Sequence, residues 1–122
     1  MARTALTVLT QTSRTGLSIA DAAMTAAFVD GHKFVNDGRT VLLMQNTNAA
    51  SRVVTVQTPG LVDGVLSVAD LGITVAATTG RILTPFFPPT IYNQSDGMVY
   101  IDYSATAGLL VAAIKIPWEV TV

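Results

Sequence analysis

The chain has 122 residues, half of them apolar and only 12% charged, with a net charge of −1 and no cysteine. A single domain of this length buries roughly two-thirds of its unfolded surface unaided, and the missing cysteines exclude disulfides, thiolate metal sites and cysteine nucleophiles. The seven Lys and Arg stand singly, without the basic stripe that nucleic acid requires. No apolar run approaches the ~18 residues of a membrane-spanning helix.

In chain order, residues 5–9 (Ala-Leu-Thr-Val-Leu) give a short strand within an otherwise extended, Thr- and Ser-rich N-terminal arm over residues 1–22. No apolar core follows Met1-Ala2-Arg3-Thr4, so no secretory leader is expected. Ser18 and Asp21 have capping-box spacing, and Ala22-Ala23-Met24-Thr25-Ala26-Ala27 then gives a helical turn. His32-Lys33-Phe34-Val35 leads into the turn Asn36-Asp37-Gly38, whose residues accept left-handed backbone.

Val41-Leu42-Leu43-Met44 reads as a strand buried on both faces, and Arg52-Val53-Val54-Thr55-Val56 as a half-buried one stopped by Pro59-Gly60. Short strands follow at residues 65–68, 73–76 and 81–84. Pro85-Phe86-Phe87-Pro88-Pro89 belongs to an edge or a rigid loop, because proline cannot donate to a ladder. Val99, Ile101 and Tyr103 alternate onto one face, which turns Asp102 to solvent. The last strand covers residues 109–116, with Lys115 on a wet side. About eight short strands with frequent turns predict an all-β fold, a single antiparallel β-sandwich or jelly roll over residues 23–122.

Catalytic constellations are missing. His32 is the only histidine and reads as a surface or turn residue, with no nucleophile elbow in the chain. Asp37, Asp63, Asp70 and Asp96 sit in turn sequence, where Asp serves the backbone. Asp102 and Glu119 do not pair as glycosidase acids would. Neither a cofactor nor a metal site is expected. Phe86 and Phe87 have two readings, a plug for the open end of the core or an exposed anchor, and Trp118 has the same two.

The ordered set Asn36-Asp37-Gly38-Arg39-Thr40, the Val-Thr-Val strand ending at Thr58-Pro59, Arg81-Ile82-Leu83-Thr84-Pro85-Phe86, Tyr92-Asn93, Asp96-Gly97 and Val99 to Tyr103 resembles the capsid decoration (cement, or minor capsid) proteins of tailed bacteriophages. The resemblance implies a non-enzymatic homotrimer on the outer surface of a virion, assembled in the bacterial cytoplasm, with the major capsid protein as partner. It implies no nucleic acid, membrane or small-molecule ligand. Contact residues under this reading are Arg3, Leu6, Val8 and Leu9 of the arm, Phe86, Phe87 and Trp118. The alternatives are a tail, baseplate or head-fibre component, and a carbohydrate-binding β-sandwich using Trp118, Tyr92, Tyr100 and Tyr103.

Overall fold

The computed structural model describes residues 3–10, 16, 19, 24–62 and 64–116. Ser18 and Asp21 of the expected capping box, Asp63, Trp118 and Glu119 lie outside them. The elements are β1 (Thr4–Ala5), β2 (Val8–Thr10), β3 (Thr25–Ala26), β4 (His32–Val35), β5 (Thr40–Asn46), β6 (Arg52–Val56), β7 (Leu61–Val62), β8 (Leu66–Ser67), β9 (Leu71–Val75), β10 (Gly80–Leu83), α1 (Pro89–Tyr92), β11 (Met98–Tyr103) and β12 (Leu109–Lys115).

Two five-stranded sheets share one core. The first has the order β1-β4-β11-β6-β9; the second runs β10-β5-β12-β2, with β3 also on the edge of β12. Phe34, Val54, Val56, Val75, Val99 and Ile101 come from the first sheet, and Leu42, Met44, Leu109, Val111 and Ala113 from the second. Strand periodicity places these side chains together, since alternate residues of a strand face one side. β5 is covered on both faces as its apolar run leads one to expect, with Val41 on the opposite side from Leu42 also buried and Leu43 half-buried.

The sheets are mixed where a purely antiparallel sandwich was expected. β1 runs parallel to β4 and β2 parallel to β12. The first ten residues are therefore no free arm over their described part. They add a strand to each sheet of their own chain, and Leu6 between them is buried in the shared core. The physical reason is that β4 and β12 offer unpaired edges, and burying one leucine contributes about 1.5–3 kcal/mol. A neighbour's sheet is not needed to shelter this apolar stretch.

Three further expectations change. Thr25 and Ala26 are extended, paired with Val111 and Leu110, because a single helical turn cannot offset its nucleation cost beside a strand edge that offers ladder bonds. The strand expected from residue 65 is the two-residue β8, paired only with β7 in a separate hairpin. Lys115 is in step with the core-facing Val111 and Ala113, while the opposite face, with Ala112 and Ile114, is buried too. β12 outruns the core by one residue, which leaves Lys115 to reach Asp37 at 2.8 Å.

β4 and β6 run in the same direction with β11 antiparallel between them. The β7–β8 hairpin follows the end of β6, and the turn at residues 28–31 precedes the start of β4. These two connections accordingly lie at opposite ends of the sandwich. Asn46 closes the end that holds the start of β4, and the Asn36–Asn93 pair closes the hairpin end.

Candidate contact surface

At the hairpin end, β6 gives way to a bracing loop. The Thr58 N–H donates to Asp70 Oδ1 at 3.0 Å, and the Thr58 hydroxyl to the carbonyl of Val68 at 2.7 Å. Gly60 N–H donates to the carbonyl of Ile91 at 2.9 Å, and a Cβ on Gly60 would lie 2.7 Å from the Ile91 Cα. Only glycine allows the loop to sit that close to α1. The brace holds up a hairpin whose apolar side chains have little to pack on: Leu61, Val65 and Leu66 are 50%, 76% and 61% exposed.

The proline-bracketed aromatics stand at the same end and divide the two sequence readings between them. Phe87 is buried, its ring 5.9 Å from Phe34 and 5.1 Å from Tyr92. Phe86 is exposed, with the Arg39 guanidinium 4.5 Å from its ring centre. Neighbours on extended backbone point to opposite sides, so one ring plugs the core and the other is displayed. Asn36 fixes the segment: its amide donates to the Phe87 carbonyl at 2.9 Å and to Asn93 Oδ1 at 2.8 Å. Asn93 returns a bond to the Asn36 carbonyl at 2.9 Å. Sequence reasoning treated Asn36 only as a turn residue; its distance from Asn93 along the chain hid the pairing.

The other expected contact residues lie elsewhere. Arg3 is folded against the outer face of the first sheet, bonded to the Ile101 carbonyl at 2.8 Å and to Asp102 at 2.6 Å, with its guanidinium 4.9 Å from the Tyr100 ring centre. Leu6 is in the core, and Val8 and Leu9 are half-buried on β2, at the edge of the second sheet opposite β10. Asp102 faces outward as expected. Burial pushes its carboxyl up, but the hydrogen bonds from Arg3 and Gln57 outweigh this and hold it below the usual carboxylate range.

His32 is a correction: it is buried on β4, with Nδ1 2.6 Å from the Tyr103 hydroxyl and the Phe28 ring 6.3 Å away. Burial pushes the Tyr103 phenol far above its ordinary value, so it stays neutral. Burial also lowers the His32 pKa below 6.5. Because the unfolded chain then binds the proton more readily, the contribution of His32 to stability is complete above pH 6.5 and is lost as pH falls below it. Depressed carboxyls such as Asp37 and Asp102 act only lower, below 3.8. Denaturant midpoints between pH 7.5 and 5 are expected to fall for the native chain and to stay flatter for His32→Gln, which keeps a partner for Tyr103. Parallel curves for the two proteins would remove this role.

Among the described residues, no three His, Asp or Glu side chains are grouped to hold a metal ion. Asp37, Asp70 and Asp96 each accept a backbone N–H, the turn work their sequence setting indicates. The fold and this end together define an all-β sandwich with a braced, exposed apolar patch. No family model, curated protein or solved structure matches the chain significantly, so the capsid resemblance rests on the ordered motifs alone.

Proposed function

We propose that the protein is a structural component of a phage virion, a sandwich of the jelly-roll kind that binds the outer surface of an icosahedral capsid and cements the shell, acting as a homotrimer with the major capsid protein as partner. The observation that carries this reading is the hairpin end: Leu61, Val65, Leu66 and Phe86 are held in water on a hydrogen-bonded frame. Apolar groups displayed this way serve contact with another macromolecule better than they serve a reaction. Each copy adds weak contacts that must all break before the lattice opens, and their effects combine through effective concentration.

The carbohydrate-binding alternative has less support. Arg3 covers a face of Tyr100, Tyr103 is turned to His32, and Tyr92 packs on Phe87. A stacking platform for a sugar ring is therefore not offered by these three. The test is to mix the purified protein with capsids lacking it, and to count bound copies and the temperature at which shells rupture. Copies in the hundreds and a raised rupture temperature are expected. A handful of copies would favour the tail or baseplate alternative, and no binding would end the virion reading.

A further inference from the structure

The outer face of the second sheet is apolar and shielded, although a sheet at the surface of a sandwich ordinarily has one face in water. Opposite the core-facing side chains it presents Val41 and Gln45 of β5, Ala112 and Ile114 of β12, and Arg81 and Leu83 of β10. Val41, Ala112 and Ile114 are only 4%, 4% and 5% exposed. Among the described residues no strand or helix forms a layer over them. They are shielded in a single chain, so the shield belongs to that chain. Gln45 is buried beside them at 9% exposed, and its Oε1 has no hydrogen-bond partner. A buried acceptor of this kind needs an N–H donor, which a covering backbone brings and a hydrocarbon does not.

We infer that residues 117–122, Pro-Trp-Glu-Val-Thr-Val, lie across this face as its cover. Three observations favour them. The first is reach. The Ile116 N–H still bonds the Arg39 carbonyl at 2.9 Å, so the segment leaves β12 beside the Val41 end of the face. Pro117 cannot extend the ladder. Six extended residues span about 20 Å, which exceeds the roughly 13 Å along a strand from Val41 to Gln45. The second is pattern: Trp118, Val120 and Val122 alternate with Glu119 and Thr121, so one side of the extended segment is wholly apolar. The third is charge. The strands β2, β5, β10 and β12 contain no acid, and Arg39 and Arg81 flank the face. Glu119 is the only Glu of the chain and the one charged side chain of the segment. The residues between Thr10 and Met24 fit less well. Their Arg14 and Asp21 cancel, and both of their ends are held at the β12 edge, away from Arg81. Trp118 is thereby a cover for the chain's own sheet and not an anchor for a partner. The inference does not rest on the capsid reading.

The chain has no cysteine and a single tryptophan, which makes two probes clean. Leu83→Cys combined with Val120→Cys is expected to close an intrachain disulfide on mild oxidation. It should do so severalfold faster than Val35→Cys combined with Val120→Cys, which sets the first thiol on the exposed face of the other sheet. Trp118 emission in the native chain is expected to be blue-shifted, and quenched severalfold less by acrylamide than in urea. Equal rates for the two cysteine pairs, a disulfide that joins two chains, or a Trp118 as open to quencher as in urea overturns the inference. Ending the chain after Ile116 is expected to lower the urea midpoint and raise the binding of an apolar dye. An unchanged midpoint without dye binding would move the cover to residues 11–23 and overturn the inference as well. If the shortened chain does not fold, Leu83→Glu at its exposed position takes its place. That variant sets a second acid against Glu119 and is expected to shift Trp118 emission to the red with the fold retained; unchanged emission counts against the docking.

Discussion

Replacing Phe87 with alanine is expected to cost about 3–5 kcal/mol of stability, the range for removing a buried aromatic ring from a core. The ring packs against Phe34 of β4 and Tyr92 of α1 within the shared core, so its loss opens a cavity there. That cavity collapses poorly, because Pro88 and Pro89 stiffen the following backbone and Asn36 holds the Phe87 carbonyl. Phe86→Ala, one residue away, is expected to cost about 1 kcal/mol or less, the scale of a cation–π contact at an exposed site. Urea unfolding of both variants checks the contrast: the Phe87 variant loses midpoint sharply with little change in slope. Equal losses at the two positions would mean that Phe86 is part of the core. Under the contact reading, Phe86→Ala keeps its fold and loses binding to its partner.

The Phe86–Phe87 pair also illustrates how far the sequence can be read. Two rings between prolines announce rigidity and apolar area, yet nothing local assigns the plug to one ring and the anchor to the other. That depends on where β10 releases the chain relative to the core. The central strands were legible because their own residues decide them: β5 is an unbroken apolar run, and Val99 and Ile101 alternate cleanly. The parallel pairing of β1 and β2 was not, since strand direction is set by which distant edge is open. His32 was misread for a related reason. Its neighbours Gly31 and Lys33 suggest a surface loop, while the side chain is covered by Tyr103, two residues beyond its cross-strand partner Ile101 and on the same face of β11. The hairpin end combined both cases, with Asp70 recognised as a turn residue and the strand expected at residues 65–68 shortened to Leu66–Ser67 in a two-stranded sheet of its own.

At the opposite end, Asn46→Ala is expected to destabilise the fold by about 2–4 kcal/mol, because leaving a buried polar group without its partner costs about 1–3 kcal/mol. The side chain is fully buried and works in two directions. Its amide donates to the Ala50 carbonyl at 2.9 Å and is shared between the carbonyls of Ala76 and Val75 at 3.2 and 3.3 Å. Its oxygen accepts the Asn48 N–H at 3.0 Å. One residue thereby ties the end of β5 in the second sheet to the end of β9 in the first. Asn46→Asp separates hydrogen bonding from size. At neutral pH a carboxylate cannot donate to those carbonyls and is repelled by them, so this variant is expected to be less stable than Asn46→Ala. Burial raises the pKa of such a carboxyl above its unfolded value, so the penalty grows as pH rises through the acid range and shrinks as pH falls. Midpoints of the two variants measured from pH 8 down to pH 4 should therefore converge on acidification. If Asn46→Asp matches the native protein at pH 8, the donor bonds from Asn46 do not hold the two sheets together.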